Sequence, residues 1–175
     1  LLRRVAGERF ALLMSVQEYA AERLEGVGAR TAIEARHGAY FASFGTDEAI
    51  EVLATHGGVA RRGALSADLD NLVAAPRRAV ARCDGEMGSA TLKAAWALLM
   101  LRGPFLMGAD LARDVLTVET LPAPARAAAA QVRGQALAML GQGTEVKAHY
   151  EEALAIAREV GDRGSEGQVL GNLGN

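Results

Sequence analysis

The sequence predicts an all-α fold: a right-handed solenoid of helical hairpins, with a possible short β-hairpin at its N-terminus. Apolar residues recur at helical spacing over most of the 175-residue chain. Breaks at Gly103 and Gly141 lie 38 residues apart, and Gly134 and Gly174 lie 40 residues apart. A period near 40 with two helices per unit indicates a helical repeat. The composition agrees, since 50% of the residues are apolar but only 5% are aromatic, as in small, closely packed helices.

The N-terminal segment 1–12 is predicted to be a β-hairpin. Short β-type runs at 4–6 and 9–12 flank Gly7 and Glu8, which form a plausible hairpin turn. A two-stranded hairpin is marginal in water by itself. We therefore expect this segment to belong to a module that lies upstream in a longer protein.

The first helices are predicted from their start signals. The patterns S-V-Q-E at 15–18 and T-A-I-E at 31–34 match capping boxes, each of which opens a helix. The first helix is expected to end near Glu25, before Gly26-Val-Gly28. The second is expected to present His37 on the same face as Tyr40 and Phe41.

Three further signals follow before residue 84. Thr46, which is followed by two acidic residues, is expected to cap a short third helix. Gly57-Gly58 marks a break, and Ser66 is expected to cap the next helix. Pro76 lies inside that helical pattern and is expected to kink or split the helix, because proline removes a backbone hydrogen bond.

The second half divides at breaks near residues 83–85, 103–104, 122–124 and 141–143. They separate predicted helices over 90–102, 105–121 and 127–140. The segment 90–102 is apolar almost all round, which indicates burial on several sides. The turn at 141–143 is short, so the helices on either side of it must pack antiparallel.

The last predicted hairpin has the clearest amphipathic helix. Its apolar face comprises Val146, Tyr150, Ala153, Leu154, Ala157 and Val160. Thr144 is expected to cap its start, Gly161 with Asp162 to end it, and a capping box at 165–168 to open the next helix. Glycines inside helices, at 134, 171 and 174, suggest close approach of neighbouring helices.

Two sets of residues resemble known families. Gly134, Gly141, Tyr150 and Ala153, followed by N-L-G-N at 172–175, resemble tetratricopeptide repeats of about 40 residues, although Ala130 stands where such repeats usually carry tryptophan. The segment R-F-A-L-L-M-S-V-Q-E-Y-A-A-E-R-L at 9–24 is similar to one that follows the nucleotide-binding core of bacterial STAND-type ATPases, seen in LuxR-type and SARP-type transcriptional activators. The segments 36–41 and 69–75 look like two further landmarks of that arrangement, from which Pro76 departs.

The resemblance implies a domain order. Residues 1–12 would be the tail of an upstream winged-helix subdomain, 13–84 a helical linker, and 85–175 degenerate tetratricopeptide-like repeats with the last one truncated. The implied role is a non-catalytic sensor scaffold of a multidomain bacterial signalling or transcription-regulating ATPase. It would bind a protein partner or a small inducer on its concave surface and contact the upstream ATPase or winged-helix module. The alternative is a free-standing tetratricopeptide adaptor that binds a partner protein.

Bulk properties bound the remaining function classes. The net charge of −2 offers no basic excess, so no direct nucleic-acid binding is expected. The longest apolar run, at 94–101, is far short of the roughly 18 residues that a membrane span needs. No signal peptide is recognisable. The one cysteine, Cys83, excludes an internal disulfide and fits a reducing compartment, so a cytoplasmic location is expected.

No catalytic, cofactor-binding or metal-binding residue is expected in this chain. The phosphate-loop pattern G-x-x-x-x-G-K-[ST] is absent, and the three histidines and Cys83 show no metal-ligand spacing. His37 is expected to be a packed structural histidine. A cryptic enzyme would need His37, Asp70 and Cys83 to form a buried cluster.

Other polar and aromatic residues are expected to be structural. Asp70 and Asn71 are predicted to cap or bond a neighbouring helix, because buried amides need partners. Acidic pairs at 68/70 and 151/152 have spacings that do not place two carboxylates side by side on a helix. The arginine pairs 61–62 and 77–78 lack interleaved aromatics, and Trp96, Met100 and Met107 are expected in the core.

Overall fold

The computed structural model describes residues 2–6 and 9–174, with the backbone alone at 2, 5, 6, 9 and 143–145. The predicted turn at Gly7-Glu8 and the side chain of the predicted cap Thr144 therefore lie outside the described part of the chain. The chain divides into two compact units, 1–36 and 37–175, each described by itself below. The predicted domain boundaries after residues 12 and 84 stay predictions.

The first unit opens with the predicted β-hairpin. Strand β1 (Leu2–Ala6) pairs antiparallel with β2 (Arg9–Leu12), so that Arg4 lies opposite Phe10. Helix α1 (Met14–Gly26) follows and ends in a turn in which Gly28 takes a φ of 66°. Glycine adopts this left-handed conformation readily, so Gly28 ends the helix within the predicted stop at 26–28.

The two predicted capping boxes of the first unit are wrong. Helix α1 begins at Met14, so Ser15 lies within its first turn, and the side-chain amide of Gln17 donates to the Leu12 carbonyl at 3.0 Å. Helix α2 (Arg30–Ala42) likewise begins before Thr31. Its first residue, Arg30, pairs with Glu34 at 3.0 Å. The carboxylate predicted to cap the backbone is therefore held by a guanidinium.

The second unit is a sequence of helices joined by short turns. A single 3-10 turn (Ser43–Gly45) follows α2. The helices after it are α3 (Asp47–Ala54), α4 (Gly58–Ala67), α5 (Leu69–Ala81), α6 (Gly85–Arg102), α7 (Phe105–Leu116), α8 (Ala123–Met139), α9 (Gly143–Val160) and α10 (Arg163–Leu173). Helices α6, α8 and α10 begin 38 and 40 residues apart, and α7 and α9 begin 38 apart. The predicted all-α arrangement of stacked helical hairpins with a short N-terminal β-hairpin is confirmed.

The core lies mainly between α5, α6 and α7. Its fully buried side chains include Leu72, Leu92, Leu99, Leu111 and Val115. Helix α6 is buried on most of its surface, as its nearly uniform apolar sequence predicts. A second cluster joins α8, α9 and α10 and comprises Ala130, Tyr150, Ala153, Leu154 and Val169.

Two predictions for α4 and α5 are corrected. Ser66 does not cap α5; it lies inside α4, where its hydroxyl donates to the Arg62 carbonyl at 2.8 Å. Pro76 does not split α5, which continues as one helix across it. Pro76 is fully buried, so packing on its ring offsets the single backbone hydrogen bond that proline removes.

Three predicted helix boundaries in the second half differ from the structure, since α6 begins at Gly85 instead of 90, α8 begins at Ala123 instead of 127, and α7 ends early. Helix α7 ends at Leu116 instead of near 121, although Val118 beyond it is still buried. The Thr117 hydroxyl donates to the Asp114 carbonyl at 2.6 Å, which closes the helix with a side chain. Pro104 follows a cis peptide bond and is the residue before α7, which begins at Phe105.

The last helix is capped by Asp162, and not by Ser165 as predicted. One Asp162 carboxylate oxygen accepts the Ser165 backbone N–H at 3.0 Å, and the other accepts the Ser165 hydroxyl at 2.7 Å. The Ser165 backbone N–H is the first cause of a lowered pKa for the Asp162 carboxyl, followed by the Ser165 hydroxyl. Gly161 precedes it at a φ of 72° and ends α9 as predicted.

Replacing Asp162 with alanine is expected to destabilise α10 by about 1 kcal/mol, the usual value of an N-cap. Asp162→Asn is the matched control, because it keeps the acceptor but removes the charge. In the wild type, the stabilisation by the charged Asp162 carboxylate is fully present above the ordinary carboxyl pKa of 3.8. It is lost as the pH falls through the lowered pKa that this carboxyl has in the folded chain. Amide hydrogen exchange of 163–173 measures both effects. Equal exchange in the alanine variant and the wild type would contradict this capping role.

Candidate interaction surfaces

Trp96 joins three helices at the centre of the second unit. Its ring, on α6, lies so close to Gly108 of α7 that a Cβ there would approach the ring to 2.6 Å. Its indole N–H donates to the Gln135 side-chain oxygen of α8 at 2.7 Å. The prediction that Trp96 belongs to the core is confirmed, since it is 4% exposed.

The next hairpin uses the same device. A Cβ on Gly134 of α8 would approach the Tyr150 ring of α9 to 2.5 Å, so the predicted close approach at Gly134 is confirmed. Burial raises the pKa of the Tyr150 phenol. No atom lies within 4 Å of a Cβ built on Gly171, so the same prediction is wrong there.

Polar contacts connect α6, α8 and α10, the first helices of successive hairpins. The Ser89 hydroxyl donates to the Ala125 carbonyl at 3.0 Å. The side-chain amide of Gln131 donates to that of Gln168 at 3.1 Å. With the Trp96–Gln135 bond, the partners are 36, 37 and 39 residues apart. These polar contacts therefore follow the period of the repeat.

Removing the Gln135 side chain is expected to cost about 1–3 kcal/mol, because the part-buried Trp96 N–H then lacks its acceptor. Gln131→Ala is the matched control. It breaks an exposed amide pair at the equivalent interface and is expected to cost less than about 0.5 kcal/mol. Urea unfolding of both variants gives the two free energies. Similar losses in the free energy of unfolding would show that the indole hydrogen bond contributes no more to stability than the exposed amide pair.

A groove on α5 is lined by six residues of that helix and by Met107 of α7. The α5 residues are Leu69, Asp70, Val73, Ala74, Arg77 and Arg78. Its volume is about 500 Å³. We call it the α5 groove. Since its α5 residues recur at intervals of four, they form one stripe along the helix.

A second groove lies at the end of the described helices. It is formed by the end of α8, the start of α9 and the end of α10, with a volume of about 530 Å³. Tyr150, Asn172 and Leu173 contribute to its lining. Leu170 is exposed and Leu173 half-buried.

Exposed apolar pairs mark the ends of α6 and α8. Met100 and Leu101 are exposed at the end of α6, and Met139 and Leu140 occupy the corresponding place at the end of α8, 39 residues later. Met100 was predicted in the core but is 37% exposed.

The sequence-predicted polar candidates lie apart. Asp70 and Cys83 are both exposed, one in the first turn of α5 and the other after its end, about 20 Å away along the helix. His37 packs on Phe41 with ring centroids 4.7 Å apart. The three residues therefore form no buried cluster.

Asn71 does not bond a neighbouring helix as predicted. It is exposed, and its side-chain amide donates to Asp68 at 3.3 Å within its own turn. The Arg61 guanidinium lies 6.0 Å from the Phe44 ring centroid, and Arg62 donates to the Leu53 carbonyl. These two arginines thus have partners within the fold.

Metal-binding clusters and membrane-spanning helices are both absent from the described residues. No group of three or more His, Cys, Asp or Glu side chains in that part of the chain is arranged to hold a metal ion. No helix within the described ranges has both the length and the apolar character to cross a membrane.

Sequence reasoning missed Gln135, Gly108 and Gln131 as contact residues. The available signal was the repeat period, since Gln135 lies 39 residues after Trp96. No family model, curated protein or solved structure matches the chain.

Proposed function

We propose that this chain is a non-catalytic interaction scaffold that serves as the sensor arm of a multidomain bacterial signalling or transcription-regulating ATPase. It acts in the cytoplasm, binds a protein partner or a small inducer, and contacts the upstream ATPase or winged-helix module. The repeats are of the tetratricopeptide kind. The resemblance of segments 9–24, 36–41 and 69–75 to the STAND-type arrangement supports the assignment to that class.

The observation that carries the binding role is the repeated exposed Met–Leu pair. Exposed apolar side chains that recur at equivalent positions of successive hairpins provide a row of contacts for a partner. Methionine adapts its shape to different apolar surfaces because its side chain is unbranched and flexible. The pairs at 100–101 and 139–140 thus favour a protein partner.

Deleting residues 123–175 from the full-length protein tests the regulatory role. The deletion begins at the first residue of α8 and removes the second Met–Leu pair. We expect a change in basal activity or in the response to the inducer. If both are the same as in the wild type, the sensor role is wrong.

A point variant tests the binding row without removing helices. Met139→Glu with Leu140→Glu places two charges on exposed positions and is expected to weaken partner-dependent regulation by roughly tenfold or more. Val160→Glu, at an exposed position at the end of α9, is the control and should behave as the wild type. A Met139/Leu140 variant with unchanged regulation would exclude this edge as the binding surface.

The alternative, a free-standing tetratricopeptide adaptor, is distinguished by the residues encoded before Leu1. A G-x-x-x-x-G-K-[ST] motif about two hundred or more residues upstream supports the ATPase assignment. Its absence from the full-length protein favours the adaptor.

A further inference from the structure

The α5 groove combines an apolar floor with charged ends. Leu69, Val73 and Met107 provide apolar lining, and Ala74 leaves space above the helix. A volume of about 500 Å³ falls in the range of sites that enclose small organic molecules. Such sites combine mostly apolar walls with a few polar groups that orient the ligand.

The basic end of the groove is formed by Arg77 and Arg78. Neither guanidinium makes a hydrogen bond or an ion pair with any other described side chain. By contrast, Arg82, just beyond the end of the same helix, lies 4.0 Å from Asp84, and Arg113 on α7 bonds Asp110 at 2.8 Å. The full set of donors on Arg77 and Arg78 is therefore available to an anion.

The opposite end carries Asp70. It lies seven residues before Arg77, which corresponds to about 10 Å along the helix. A carboxylate there repels a second negative charge but does not disturb an apolar tail. The groove thus suits a ligand with its anionic group at one end only.

We infer that the α5 groove binds a small apolar organic anion. The apolar body lies on Leu69, Val73 and Met107, and a carboxylate or phosphate head group receives hydrogen bonds from Arg77 and Arg78. This deepens the proposed sensor role by giving the chemical class of the inducer, and its regulatory consequence rests on that role. The binding itself is a property of the groove.

Calorimetric titration of the 175-residue chain with two carboxylates, decanoate and 2-naphthoate, tests the inference. Decanol and 2-naphthol provide the same bodies without the charge, and inorganic phosphate provides an anion without a body. We expect one carboxylate per chain, with binding weakened roughly tenfold or more for the neutral analogue and for phosphate. Backbone amide NMR shifts should change mainly at 69–78 and near Met107.

Three variants assign the binding to the groove. Arg77→Met with Arg78→Met keeps the apolar stems and should weaken carboxylate binding by roughly tenfold or more. Arg77→Lys with Arg78→Lys keeps the charge and should restore most of it. Asp70→Asn is the matched control and should bind at least as tightly as the wild type.

Four results would overturn the inference: no saturable binding of either carboxylate, equal binding of acid and neutral analogue, equal binding of phosphate, or unchanged binding by the double methionine variant. Circular dichroism melting checks that the methionine variant is folded. If it is not, Arg77→Gln with Arg78→Gln, which also removes both charges and is expected to weaken binding to the same extent, carries the test. If binding follows the prediction but the same variant regulates the full-length protein normally, the groove binds the anion but that anion is not the inducer. The sensor role itself fails only if deletion of 123–175 also leaves regulation unchanged. If regulation depends on 123–175 but no carboxylate binds, the sensor role stands and the groove inference fails.

Discussion

Truncating Trp96 to alanine is expected to lower the free energy of unfolding by about 3–5 kcal/mol. The indole is 4% exposed, lies against Gly108 of α7, and donates to Gln135 of α8. Its removal leaves a cavity between three helices and an unpaired amide oxygen. Urea unfolding measures the loss. Tyr19→Ala is the control, because that ring is 62% exposed and should cost within about 0.5 kcal/mol.

A double-mutant cycle with Gly108 tests the cause. Gly108→Ala alone is expected to cost about 1–3 kcal/mol, because the added methyl group overlaps the buried indole ring. In the Trp96→Ala background that methyl group enters the space left by the ring. The two losses should therefore add to more than the loss of the double variant, by about 1–2 kcal/mol. Simple additivity would show that Trp96 and Gly108 do not restrain each other.

Gly45→Ala is expected to cost about 3 kcal/mol. Gly45 ends the 3-10 turn after α2 and is buried against α6. A Cβ there would lie 2.7 Å from the Ala94 nitrogen and 2.8 Å from the Ala90 oxygen. Both atoms belong to helix backbone, so no side chain can rotate away and the turn itself must move off α6.

Gly63→Ala is the matched control for Gly45→Ala. Gly63 lies inside α4, and no atom is within 4 Å of a Cβ built on it. Alanine is therefore expected to stabilise the chain by about 0.5–1 kcal/mol through its higher helix propensity. Thermal unfolding followed by circular dichroism should show shifts of opposite sign. A Gly45→Ala variant with wild-type stability would contradict the backbone contact.

Much of the architecture follows from residues that end or separate helices. Gly103, Pro122 and Gly161 end or separate helices for local reasons, and local chemistry is visible in a single sequence. Helix starts were harder to assign. Serines and threonines are common near the starts of α1, α2, α5 and α10. The true first residue of each helix depends on which nearby group accepts hydrogen bonds from the free backbone N–H groups of the first turn. At α10 Asp162 already does so three residues before Ser165.

The candidate surfaces depend on packing that sequence does not show. The bond from Trp96 to Gln135 requires the register of α6 against α8, which local pattern leaves open. Asp70 and Asn71 were predicted to cap or hydrogen-bond a neighbouring helix, but both are exposed. The groove beside them exists because Met107 of α7 stands over the same stripe of α5, a relation between residues that lie far apart in the sequence.

The pairing of ring and glycine in successive hairpins has a consequence for how such a chain can change its length. Trp96 packs against Gly108, and Tyr150 packs against Gly134, in each case on the other helix of the same hairpin. From α5 onward the stronger helix contacts join neighbours or next neighbours in the sequence. A hairpin that contains both the ring and the glycine therefore keeps the close contact between its own two helices wherever it stands in the chain. Duplication or loss of one such segment during evolution would therefore leave the adjoining hairpins with surfaces that still match.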